Sequence, residues 1–265
     1  MNTQPRRKWH PQRWLLLLAA SLLAYAGWTQ YAFRSALKEA KALEWWVNYT
    51  EPVEEIRKNW KNTFRKETWL DGVTGIAIPT GEELERHHDI VHRLNPKGLT
   101  IYRATNLRDL AALKGLTRLD ALQISSGYNL TNVDMLKNLP ELKRVQLTDC
   151  TALTNVDALK TLTALEELDL GNCMLLTNVD ALKSLPTLHY IALHGCLALT
   201  NVDALKGITA LKRLDLTNCS HLKNVDALKN LKALETVVLK GCTGLTKESI
   251  EALKAAIPKT IIFTD

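Results

Sequence analysis

The sequence predicts an α/β solenoid, with short parallel strands and helical turns stacked along one axis. Three observations carry this reading. Cys150, Cys173, Cys196, Cys219 and Cys242 recur every 23 residues. The string LTNVDALK, or a close variant, recurs from Leu130, Leu153, Leu176, Leu199 and Leu222. Leucine fills fixed offsets between these marks. A period of roughly 20–29 residues filled in this way describes a unit that cannot hide its apolar face alone but can when stacked.

One unit reads Leu142-x-x-Val145-x-Leu147-x-x-Cys150-x-x-Leu153-x-x-Val156-x-x-Leu159-x-x-Leu162. The alternation around Val145 and Leu147 predicts a short strand with one face buried. The later spacing by three suits a single helical or 3₁₀ turn. Asp157 stands where a helix N-cap belongs, with its carboxylate in reach of the N–H of Leu159 or Lys160. Asp134, Asp180, Asp203 and Asp226 repeat that position. These aspartates read as caps rather than as a cation-binding ladder. Lys137, Lys160, Lys183, Lys206 and Lys229, three positions on, would partly neutralise such a ladder.

Stepping by 23 extends the array in both directions. Leu119, Leu122 and Ile124 open an earlier unit with Gly127 in the cysteine slot. Pro96, Leu99 and Ile101 open another, with Ala104 in that slot. Val73, Ile76 and Ile78 open a third, followed by a longer helix predicted from Thr80 to Leu94. At the other end Thr246 is placed to cap a helix through Ile257, and Ile262 falls in phase as a last strand. The prediction is nine strands, with atypical terminal units that cover the ends of the core.

With cysteine where many members carry asparagine, this unit resembles the leucine-rich repeat family. VDAL stands where the internalin-type repeats of bacteria read ISPL. The resemblance covers residues 73–265. It implies a curved parallel sheet on the concave face, short helical or 3₁₀ turns on the convex face, and binding rather than catalysis.

The cysteines have two readings. Neighbouring strands lie about 4.8 Å apart, so stacked thiols approach disulfide range. In-register Cβ vectors point the same way, however, which is poor bridging geometry. Buried, reduced thiols acting as small hydrophobes are the expectation, and the odd count agrees. Zinc is not expected, because no His or second Cys falls within ligand distance inside a unit.

Ahead of the array, residues 1–13 carry Arg6, Arg7, Lys8 and Arg13 and no acid. An apolar run from Trp14 to Trp28 follows and continues less purely to Phe33. The segments predicted are a cytoplasmic N-terminus over 1–13, a transmembrane signal-anchor helix over 14–33 and a helical stalk over 34–70. An N-terminal cap over 71–95, repeats over 96–245 and a C-terminal cap over 246–265 complete the chain. Positive charge on the short N-terminal side predicts a single-pass inner-membrane protein with its repeats in the periplasm or outside the cell. Ala24-Tyr25-Ala26 leaves open a secreted form cleaved near Ala26. In the stalk, Arg34 to Val47 extends the anchor helix, Pro52 breaks it, and Val53 to Trp69 suggests a second helix. Trp45, Trp46, Trp60 and Trp69 either lie on lipid headgroups or pack on the first unit.

The formal net charge of +6 belongs to this N-terminal region. Residues 71–265 hold 22 basic and 22 acidic residues. A neutral repeat domain lacks the basic stripe that nucleic-acid binding needs, so no nucleic-acid partner is expected.

Nothing in the sequence pairs a nucleophile with a base, and no phosphate-binding glycine loop or HExxH occurs. The chain is not expected to be an enzyme, and no cofactor or metal is expected. His88 and His92 are four apart on the predicted N-terminal helix, a metal-like spacing, but a solvated polar face is the simpler reading.

Register identifies the outward positions of the sheet, because side chains alternate across a strand. The middle column runs Thr100, Gln123, Gln146, Asp169, Ala192, Asp215, Val238, Ile261. Arg144, Glu167, Asp169, Tyr190, His194, Arg213 and Asp215 make a mixed patch between the fourth and seventh strands. Tyr and Arg are enriched at interface hot spots, so this patch is the expected partner-binding surface for a protein or glycan. His194 beside Asp169 or Asp215 would make such binding pH-sensitive near neutrality. The alternative is a structural or adhesion component of the envelope with no specific concave-face ligand.

Overall fold

The computed structural model describes residues 30–48 and 74–265. Within them, one sheet of ten strands runs in sequence order from end to end. The strands are β1 (Trp46–Asn48), β2 (Gly75–Thr80), β3 (Gly98–Arg103), β4 (Ala121–Ser125) and β5 (Arg144–Thr148). They continue as β6 (Glu167–Asp169), β7 (Tyr190–Ala192), β8 (Arg213–Asp215), β9 (Thr236–Val238) and β10 (Ile261–Phe263). From β2 onward every pairing is parallel.

The 23-residue period becomes register. Leu99, Leu122, Val145, Leu168, Ile191, Leu214 and Val237 face one another in turn across β3 to β9. All seven are buried. Opposite the sheet lie the 3₁₀ turns Asp134–Asn138, Asp157–Thr161, Asp180–Ser184, Asp203–Gly207 and Asp226–Asn230. Their leucines and those of the strands fill one continuous core, and fully burying each is worth roughly 1.5–3 kcal/mol before entropy is subtracted. A second ladder enters each strand: the N–H groups of Lys143, Glu166, His189, Lys212 and Glu235 each donate to the equivalent carbonyl one coil back, at 2.8–2.9 Å.

The aspartates do not cap the turns. Val133, Val156, Val179, Val202 and Val225 hold the cap positions and make no side-chain cap bond. Instead Asn132, Asn155, Asn178, Asn201 and Asn224 accept the aspartate N–H on their Oδ1, at 2.6–3.2 Å. A 3₁₀ turn this short is nucleated two residues upstream by an Asx turn, which leaves the aspartate carboxylate outside. Asp180 and Asp226 pair with Lys183 and Lys229, each at 2.6 Å.

Four other expectations change at the ends. The described strands number ten, because β1 adds antiparallel to β2 with Trp46 opposite Ala77. The helix expected to reach Val47 stops at 42, where Glu44 takes a left-handed φ of 58° and turns the chain into β1. The single helix expected from Thr80 to Leu94 is two, which follow the helix over residues 30–42 (α1) as α2 (Gly81–Arg86) and α3 (His88–Leu94). They break at His87, where Trp45 packs edge-on with ring centroids 6.0 Å apart. Thr80 Oγ1 does cap α2, accepting from Glu83 N–H at 3.1 Å. Finally, Val237 faces Ile262, where a 23-residue step would bring Thr260. A true α-helix, α4 (Lys247–Ala256, capped by Thr246), replaces the last 3₁₀ turn and lengthens that unit. Phe263, not Ile261, therefore ends the middle column.

Residues 30–42 are helical and docked. Ala36 and Ala40 are buried in the shared core, with Phe33 and Leu37 packed against it. Of the segment read as a stalk, the described part is therefore a cap on the first unit. Trp45 is buried there, while Trp46 is exposed. The membrane segment predicted over 14–33 lies outside the described residues up to 29, as does the second helix expected over Val53–Trp69. Among the described residues no helix is long and apolar enough to cross a membrane.

Candidate ligand-binding face

Four central strands set a grid on the outward face of the sheet. Arg144, Glu167, Tyr190 and Arg213 stand in one row across β5 to β8. Gln146, Asp169, Ala192 and Asp215 stand in the next. His194 follows β7, and its ring lies over Gly171, in space that a Cβ at that position would occupy.

Four of the charged side chains have a local tether. The Arg213 guanidinium lies 5.7 Å from the centroid of the Tyr190 ring, a cation–π contact. Arg144 Nη2 approaches Asp120 Oδ1 at 3.8 Å. Asp169 Oδ1 accepts the Gly171 N–H at 2.8 Å. Asp215 Oδ1 accepts the Thr217 N–H at 2.8 Å and its hydroxyl at 2.6 Å. Burial raises the pKa of Asp169, the charges of Asp215 and Asp149 add to the rise, and the Gly171 N–H and His194 oppose it. Burial likewise raises that of Tyr190, with Asp169 and Asp215 contributing. The centre of the face is thus partly desolvated and negative in its middle row.

An open concavity of about 410 Å³ lies over β3 to β7. Arg144, Glu167, Asp169 and Tyr190 line it, together with Thr100, Gln123 and Gln146. His194, Arg213 and Asp215 lie outside its lining and continue the face toward the C-terminal strands. Thr100, Gln123 and Gln146 stood in the middle column but carried no charge to single them out. Their part depends on the curvature of the sheet, which periodicity does not encode. Trp46 and Phe263, 64 % and 45 % exposed, stand at the two ends of that column.

The cysteines offer no chemistry. All five are free and buried. The thiols of Cys173, Cys196, Cys219 and Cys242 donate to the carbonyls of Leu147, Leu170, Leu193 and Leu216 one coil back, at 3.0–3.5 Å. Burial pushes the pKa of Cys196 up to about 12 and that of Cys242 up to about 11. That of Cys173 rises through its hydrogen bond with Cys150 and through burial. The His88 and His92 rings meet edge-on at 6.2 Å, and His92 Nε2 lies 3.2 Å from the Ala112 carbonyl. Among the described residues no group of three or more His, Cys, Asp or Glu side chains is placed to hold a metal ion.

Sheet, turns and period together define a leucine-rich repeat solenoid. Residues 121–246 match the BspA type leucine rich repeat region in six copies. Among solved structures, internalin C2 of Listeria monocytogenes is similar at 24 % identity, over 74 % of this chain and 82 % of that one, with a TM-score of 0.55. The leucine-rich repeat domain of the type III effector XopL is similar at 28 % identity, over 66 % of this chain and 62 % of that one, also with a TM-score of 0.55. The chain thus spans less than two thirds of that domain. No curated protein matches the sequence. What the chain shares with these structures is the fold.

Proposed function

We propose that this chain is a membrane-tethered binding module that holds a protein or glycan partner against its concave sheet, outside the cytoplasm. One observation carries the reading. The concavity gathers Arg144, Glu167, Asp169 and Tyr190 on a rigid scaffold, whereas the convex turns repeat nearly the same residues in every unit. An aromatic, an arginine and partly desolvated acids in one hollow are the composition of interface hot spots. The basic N-terminus followed by the apolar run to Phe33 supports the tether.

Crosslinking of the tethered protein in its own cells tests the reading. Replacing Arg144, Tyr190 and Arg213 together with alanine should abolish capture of a partner while leaving the circular dichroism spectrum unchanged. Undiminished capture by this variant would remove the concave face from consideration. Protease added to spheroplasts should digest the repeats, and full protection would reverse the orientation.

A second reading, a structural component that makes contacts elsewhere, is favoured by one feature. Tyr128, Met174, Leu175 and Leu197 are exposed apolar residues on the turns that follow the strands. Capture that survives the triple substitution but is lost in Met174→Asp or Leu175→Asp would support that reading instead.

A further inference from the structure

We propose that the concave face binds a polyproline-II segment of a partner protein running along the solenoid axis, with a lysine or arginine at every third position. The inference rests on the concave-face reading above and names its ligand. Asp169 and Asp215 share one row with only Ala192 between them. Two strand spacings separate them, about 9.6 Å. A polyproline-II helix has three residues per turn at a rise of about 3.1 Å, so equivalent side chains recur about every 9.3 Å. The mismatch is about 0.3 Å.

Other backbones fit poorly along the same axis. An extended strand presents one face every second residue, about 6.6–6.8 Å apart, commensurate with neither one spacing nor two. An α-helix offers residues i and i+7 at about 10.5 Å, and i and i+4 at about 6 Å.

The chemistry agrees with the spacing. Among the described residues, Asp169 and Asp215 each use Oδ1 to accept from the downstream turn, while Oδ2 accepts no hydrogen bond. Two half-satisfied carboxylates in a partly desolvated row call for cations from outside the chain. Arg144 and Arg213 belong to the adjacent row and are already engaged by Asp120 and Tyr190. Ala192, 1 % exposed, puts no bulky side chain between the carboxylates. Tyr190 at the start of β7 and His194 two residues past its end stand on either side of Ala192 along the chain, as aromatic groups against which proline rings pack, the usual surface for this helix type. A preformed helix also loses little entropy on binding.

The test uses the full chain in detergent and three synthetic peptides with equal numbers of lysines, repeating Pro-Pro-Lys, Pro-Pro-Pro-Lys and Pro-Lys. Titration calorimetry should show Pro-Pro-Lys binding about tenfold more tightly than either mis-spaced peptide. Asp169→Asn and Asp215→Asn should each weaken it about five- to tenfold, with unchanged circular dichroism. Equal affinity for all three peptides would overturn the proposal, since charge without register would then explain binding. No binding of Pro-Pro-Lys would also overturn it. In that case a glycan or other partner whose capture needs Tyr190 would leave the concave-face reading standing, whereas capture indifferent to Arg144, Tyr190 and Arg213 would end both.

Discussion

Arg93 holds Glu39 by two parallel hydrogen bonds, Nη1 to Oε1 at 3.1 Å and Nη2 to Oε2 at 2.7 Å. The pair spans 54 residues and ties the helix over 30–42 to α3. Ser35 donates to the same carboxylate at 2.7 Å, and Asp89 Oδ2 accepts from the same Arg93 Nη2 at 3.1 Å. A bidentate guanidinium–carboxylate pair is directional, so it sets the angle at which the N-terminal helix seats on the first unit. It also joins that helix mechanically to the sheet that carries the candidate face.

Acid should undock this helix before it unfolds the array. The hydrogen bond from Arg93, followed by that from Ser35, lowers the Glu39 pKa to about 2. A depressed folded-state value means that the contribution is fully present above the ordinary carboxylate pKa and is lost as pH falls toward 2. Hydrogen exchange in residues 36–40 should accelerate over that window while the strands β4 to β8 stay protected. Arg93→Ala should reproduce the same local opening at neutral pH. Simultaneous loss of protection in the strands would show that the cap and the array unfold as one.

Asn178→Ala should destabilise the array by about 1 kcal/mol in urea unfolding, because it removes the acceptor that starts a 3₁₀ turn. Asp180→Ala should change stability by less than about 0.5 kcal/mol, since it breaks only a solvent-exposed pair with Lys183. The reverse order would restore the aspartate to the capping role.

Ser126, Asp149, Asn172, Gly195, Asn218 and Gly241 occupy one position in successive units, and all have φ between 57° and 72°. Left-handed backbone at this turn admits Gly, Asn and Asp and resists β-branched residues. Gly195→Val should therefore cost about 2 kcal/mol or more, whereas Asn218→Gly should be nearly neutral. Thermal midpoints would decide, and equal midpoints would remove the backbone explanation.

The thiols should resist alkylation in the native protein at pH 8. The Cys196 and Cys242 values of about 12 and about 11 leave almost no thiolate there. Denaturant should expose all five. Cys242, slightly more exposed and next to the terminal unit, should react first as that end frays. Rapid native labelling of Cys196 would contradict the packed core.

Much of the architecture was written in periodicity. Val145, Leu168, Ile191 and Leu214 are assigned to one buried column by the sequence alone, because identical units at fixed spacing have one way to stack. The same register placed Arg144, Glu167, Tyr190 and Arg213 in a single row. Where the repeat stops, that logic stops with it. The α4 helix shifted β10 by two positions, and β1 joined the sheet from a segment with no repeat to announce it.

Composition and period alone determined that this chain is a solenoid with a leucine core, buried thiols and an outward face whose columns can be named. Tertiary structure decided the rest: asparagine rather than aspartate starts each turn, Glu39 finds Arg93, and the hollow lies over β3 to β7. The physical reason is range. Burial of repeated leucines is local and additive, whereas a hydrogen bond across 54 residues or the bend of a sheet exists only after every coil has been packed.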